Sequence, residues 1–388
     1  MQASSVPDGL PAPTGRYQVG RRSFDWVDHD RVESYSSNPQ DRRELVVWVW
    51  YPATHGPDAE RAPHLPEPWA AAGQLAGLDA AGLLSHAVAD AAVAGDQSSY
   101  PVLVMSPSGF PPLLLTAIAE DLASHGYVVV GVNHTYETAV TVFTDGRVVP
   151  MNPDATAGAM GPQTGPYQER FRQRAAVCAY KAADLASVAD HLGRLAVDAV
   201  QPLGGRLDLS RLGAFGHSFG GNAALEWCRN DPRCVAAANL DGALWTEVGR
   251  VGLDRPALQV LANHPEFAPS GADAVAAGMA TDAAAFDAEK AVTLDGWRTV
   301  HEQGRPSYTV EVEGATHVSF MDVAHLPLRA GSPVTAMLAA SQIEPRRMWR
   351  ITCDLLLAFF ATHLQQADTP PLLAGPTADY PELSFGRP

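Results

Sequence analysis

The feature that most constrains this chain is the pentapeptide Gly216-His217-Ser218-Phe219-Gly220, a G-x-S-x-G run between two kinds of periodicity. Leu212-Gly-Ala-Phe215 before it is a short apolar run of strand type, and Gly220-Gly-Asn-Ala-Ala-Leu-Glu-Trp227 after it reads as a helix. A serine hydroxyl is a poor nucleophile unless a sharp strand-to-helix turn exposes it to a base. The flanking glycines permit that turn, and the helix N-terminus offers backbone N–H groups to a developing oxyanion.

The rest of the chain supplies the units such a turn needs. Near-continuous apolar runs at 101–106, 127–133, 235–240, 257–262 and 308–312 are what parallel strands covered on both faces look like. They alternate with helical patterns at 113–125, 167–195 and 345–364, and the run 44–52 adds a strand stopped by Pro52. We therefore expect an α/β fold with a mostly parallel, doubly wound sheet, helices on both faces and chemistry at the strands' carboxyl ends. The 388 residues fit one domain (1–388) with its core over about 44–364. Residues 55–99, with helical islands at 69–84, and the loop 134–168 read as cap-like insertions, and 366–388 as a Pro-rich tail. Asp145-Gly146 marks a hairpin turn.

Composition excludes several classes. With 27 Lys+Arg against 43 Asp+Glu the net charge is −16, so no basic stripe stands ready for nucleic acid. Only two of the 27 basic residues, Lys181 and Lys290, are lysines. The four cysteines lack metal-ligand spacing; Cys228 and Cys234 are close enough in sequence to pair, but buried thiols are the simpler reading. No apolar run is long enough to cross a bilayer, and no signal peptide is visible, so a cytoplasmic location is expected.

A serine elbow needs a base and an acid, in the order Ser, Asp/Glu, His. His317 directly follows the strand at 308–312, whereas His301 precedes that strand and His363 lies on the last helix. His217 reads as structural. For the acid, Asp241 ends the strand at 235–240 before Gly242; Glu266, after the strand at 257–262, competes, and Asp322 is a third candidate.

The segments Gly216-His-Ser-Phe-Gly-Gly221, Asn239-Leu-Asp-Gly242 and Thr316-His-Val-Ser-Phe320, with Val47–Pro52 and Asp121–Tyr127, resemble the platelet-activating factor acetylhydrolase family, bacterial members included. The resemblance covers roughly 44–364. It implies the α/β-hydrolase fold, a serine esterase or lipase activity on short-acyl or phospholipid-like acetyl esters, and Asp241 rather than Glu266 as the acid. The family's oxyanion loop reads Ser-His-Gly or Ser-Pro-Gly. Here it is Ser106-Pro-Ser-Gly-Phe-Pro-Pro112, with the glycine one place later. Pro111 has no N–H to give, so the oxyanion donors expected are Phe219 and Phe110. Trp245, with these phenylalanines, is a candidate wall of an acyl pocket. The chemistry needs no cofactor or metal, and the expected partner is a small-molecule ester. Acyl transfer, thioester cleavage or cyclisation on the same triad is the alternative, and a non-catalytic binding protein on the same fold is a third reading.

Overall fold

The computed structural model describes residues 9–386 apart from 76, 161–166, 264–269, 277, 279, 330, 332–334, 336 and 337. Its main sheet is built from β1 (Gln18–Val32), β2 (Arg42–Thr54), β3 (Arg61–Pro63), β4 (Leu84–Ala89), β5 (Ala92–Val93), β6 (Tyr100–Ser106) and β7 (Val128–Asn133). A separate hairpin of β8 (Val140–Val142) and β9 (Val148–Pro150) turns at Asp145-Gly146. The main sheet then continues with β10 (Leu207–His217), β11 (Cys234–Leu240), β12 (Ala257–Ala262), β13 (Ser307–Val312) and β14 (Leu383–Phe385).

The strand order is β14-β13-β12-β11-β10-β6-β7-β2-β1-β4-β3, with β5 on β2. From β7 to β13 the six central strands are parallel, and the flanks are largely antiparallel. Alternate residues of each strand serve opposite faces: Leu103 and Met105 of β6 join one core, Val102 and Val104 the other. The first core packs the helices Thr116–Ser124 and Pro345–Gln365; the second packs Tyr167–Val197 and Phe219–Asn230. This is the α/β-hydrolase architecture, and β6 and β10 flank its topological switch point. The chain runs from β6 outward to β7, then returns to place β10 on the other side. Ligand crevices open at such a point, beyond the strand carboxyl ends.

The sheet extends past the expected 44–364 core at both ends. β1 begins at Gln18, and Leu383–Phe385 of the Pro-rich tail pairs with β13. Among the described residues of 55–99, helix is confined to Trp69–Leu75, and Leu84 opens a strand parallel to β1. The alanines there imitate a helical composition, yet Ser85 and Ala87 point inward with period two. All four cysteines are buried and free, so Cys228 and Cys234 do not pair. Among the described residues no helix is long and apolar enough to cross a membrane.

Candidate active site

The glycines of the elbow are sterically required. A Cβ on Gly220 would lie 2.1 Å from the Ser106 carbonyl oxygen, and one on Gly216 2.3 Å from the Gly220 carbonyl oxygen. Strand β10 pairs Gly216 with Ser106 of β6 and with Asn239 of β11, so the turn emerges between these two strand ends. Ser218 itself takes φ 58° and ψ −128°, a conformation that a residue with a Cβ keeps only when its surroundings impose it. The helix Phe219–Asn230 starts immediately after it.

The three sequence-predicted residues meet there. His317 Nε2 lies 2.9 Å from Ser218 Oγ, and His317 Nδ1 lies 2.6 Å from Asp241 Oδ2. A carboxylate only accepts, so Nδ1 carries the proton and Nε2 is left to accept from the serine. Asp241 is nearly inaccessible, and its Oδ1 accepts from Ala262 N–H at 2.8 Å. Its own turn (φ 56°) is fixed by Asn239, whose amide bonds Gly242 N–H and C=O at 2.8 Å each, and by Trp297 Nε1–H on the same carbonyl. Thr316 and Ser319 form a capping box around the short helical turn His317–Phe320.

His217 is buried beneath this arrangement. Its Nε2–H donates to the His317 carbonyl at 2.7 Å, and the two rings lie 4.6 Å apart. Burial, reinforced by His317, lowers its pKa to about 3, so it is a neutral support. Asp322 is carried elsewhere. It accepts from Ala117 N–H at the start of Thr116–Ser124, and burial pushes it up to about 8. Glu266 lies outside the described residues.

Of the other expected residues, Phe219 is the first residue of the helix Phe219–Asn230, and Phe110 sits on the 106–112 loop with 40% of its surface exposed. Trp245 is buried rather than open. Its ring packs edge-on against Phe171 at 5.8 Å and under the Arg174 guanidinium at 4.7 Å, while its backbone N–H donates to Asn222 of the helix Phe219–Asn230.

Sequence reasoning missed a buried ion network under the 106–112 loop. Asp184 receives Arg43, Arg31 and His134 Nδ1, at 2.6, 2.7 and 2.8 Å. Arg43 also pairs with Glu33, and Lys181 with Glu137. Burial alone would raise the Asp184 pKa, but Arg43 and His134 hold it well below the usual carboxylate range. Burial, then the Lys181 charge, lowers His134 to about 3 despite Asp184, so the ring is neutral. His134, Glu137 and Asp184 come close enough together to ligate a cation. Most of their donor atoms are already engaged: Asp184 faces Arg43 and Arg31, Glu137 Oε2 faces Lys181, and both His134 nitrogens are bonded, while Glu137 Oε1 has no hydrogen-bond partner and lies 3.9 Å from the Arg43 guanidinium. The set therefore fits an ion-pair network better than a metal centre. The only hint in the sequence was Lys181, one of two lysines among 27 basic residues.

Comparison with known proteins follows the same line. The family profile described as Platelet-activating factor acetylhydrolase, isoform II, matches residues 3–370. The chain belongs to this family. It is 29% identical over 279 residues to a protein of Arthroderma benhamiae named probable 1-alkyl-2-acetylglycerophosphocholine esterase, covering 65% of this chain and 64% of that one. It is 28% identical over 159 residues to the platelet-activating factor acetylhydrolase of Cavia porcellus, covering 37% and 35% of the two chains. The chain thus spans less than two thirds of the length of these curated relatives. Among solved structures, a ferulic acid esterase from Streptomyces cinnamoneus superimposes with a TM-score of 0.76 at 29% identity, over 97% of this chain and 98% of that one.

Proposed function

We propose that the protein is a serine carboxylic-ester hydrolase acting on short-acyl esters, with Ser218, His317 and Asp241 as its triad. The observation that carries the reading is the hydrogen-bonded relay Ser218–His317–Asp241, at 2.9 and 2.6 Å, on a strained elbow at the sheet's switch point. Ser218 Oγ attacks the ester carbonyl while His317 Nε2 takes its proton, then returns it to the leaving alcohol. Asp241 fixes the imidazole tautomer and stabilises the imidazolium. Backbone N–H groups of Phe219 and Phe110 bind the tetrahedral oxyanion, and water, activated by His317, releases the acid. The names of the Arthroderma benhamiae and Cavia porcellus relatives support an acetyl or similarly short acyl group.

A p-nitrophenyl ester series tests this. The acetate is expected to turn over with a nitrophenol burst equal to the enzyme, and its kcat/KM to exceed that of the octanoate by roughly tenfold or more. A preference for the octanoate would overturn the short-acyl assignment, and hydrolysis of neither would overturn the esterase.

A further inference from the structure

The loop that carries Phe110 is tied to the buried network at two points, two residues apart. The Ser106 hydroxyl donates to His134 Nε2 at 2.8 Å, because His134 Nδ1 spends its proton on Asp184. The Ser108 carbonyl accepts from Lys181 Nζ at 3.1 Å, and the same ammonium pairs with Glu137. The Glu137 backbone also runs alongside, its carbonyl oxygen 3.5 Å from where a Cβ on Gly109 would sit. Ser108, at φ 69°, is in the left-handed region that favours glycine, one place before the glycine the loop does contain. Such a residue stays there only if something holds it.

Lys181 is suited to that task. It is 1% exposed, on the helix Tyr167–Val197, and it is one of only two lysines among 27 basic residues. A compact ammonium can aim separate donors at a carbonyl and a carboxylate, where a planar guanidinium imposes a fixed fork.

We propose that Lys181, paired with Glu137, is a positioning residue for ester hydrolysis: by holding the Ser108 carbonyl it locks the left-handed turn that presents the Phe110 N–H to the oxyanion. The inference rests on the esterase reading above. It makes the shifted glycine of this loop intelligible, since the turn is held from outside by Lys181 rather than relaxed by a glycine at 108.

The test is the double variant Lys181→Met/Glu137→Gln, which removes both charges together and leaves neither buried alone. On p-nitrophenyl acetate its kcat should fall roughly 10- to 100-fold with KM changed less than about threefold, short of losing a whole oxyanion donor. Affinity for a short-chain trifluoromethyl ketone, which forms the same oxyanion on Ser218, should fall by the same factor as kcat. Adding Ser108→Gly, which makes the turn free of strain, should restore several-fold of the lost kcat. A merely structural lysine predicts a lower Tm with kcat and ketone affinity intact, and that result would overturn the proposal. If the double variant does not fold, Lys181→Arg is read by the same criteria. An inert wild type would overturn the esterase and this inference together, whereas an active wild type with an equally active folded variant would overturn only the positioning role.

Discussion

Replacing Ser218 with alanine is expected to lower kcat on p-nitrophenyl acetate by roughly 10⁵- to 10⁶-fold while leaving the fold intact. The removed atom is the one 2.9 Å from His317 Nε2, and among the described residues no other side chain hydrogen-bonds that nitrogen. Alanine keeps the Cβ, so the backbone at φ 58° experiences no new freedom and no new clash. The helix Phe219–Asn230 retains its buried face of Ala223, Ala224, Leu225 and Trp227, so circular dichroism and Tm should match the wild type. A variant that kept more than about 1% of the activity would place the nucleophile elsewhere.

Asp241→Asn should cost about 10⁴-fold in kcat with little change in KM. The side chain is the same size, and its oxygen can still accept from Ala262 N–H, the contact Asp241 Oδ1 makes at 2.8 Å. What changes is the partner of His317 Nδ1, at 2.6 Å. An amide N–H there turns Nδ1 into an acceptor, moves the ring proton to Nε2, and leaves nothing to take the proton from Ser218. Glu266→Gln, made in parallel, should leave kcat within about twofold of wild type. The reverse pattern would move the acid to Glu266, and the kcat ratio of the two variants decides it.

The site and the fold were legible to different depths, for physical reasons. The elbow is local chemistry. Gly216 and Gly220 must lack a Cβ because backbone lies about 2 Å from where it would be, and that need is written in five consecutive letters. Central strands such as β6 and β7 are buried along their whole length, so their sequences are continuous apolar runs that leave no choice of element. The sheet margins were less readable. β14 is three residues long in a Pro-rich segment, and its pairing with β13 depends on a partner some seventy residues earlier. β4 alternates with period two through Ser85 and Ala87, small residues that carry almost no hydrophobic contrast.

Among the site residues, His317 stood out because it directly follows a strand. The choice of acid needed space as well as sequence. Asp322 is only five residues from His317, yet its carboxylate turns to the helix Thr116–Ser124. The network around Asp184, hinted at only by Lys181, was otherwise hidden for the opposite reason. Its members, Arg43, His134 and Asp184, lie up to 141 residues apart, and each alone looks like an ordinary surface charge. Only the fold brings three carboxylates and three cations together beneath one loop.

The most direct test of the central claim is covalent. Incubating the protein with a radiolabelled or mass-tagged organophosphate, then digesting it and sequencing the modified peptide by mass spectrometry, asks which oxygen is activated. The account predicts one adduct per chain, on Ser218, with loss of esterase activity in step with labelling. A protein that remains unlabelled, or that carries the adduct on any other residue, would contradict it.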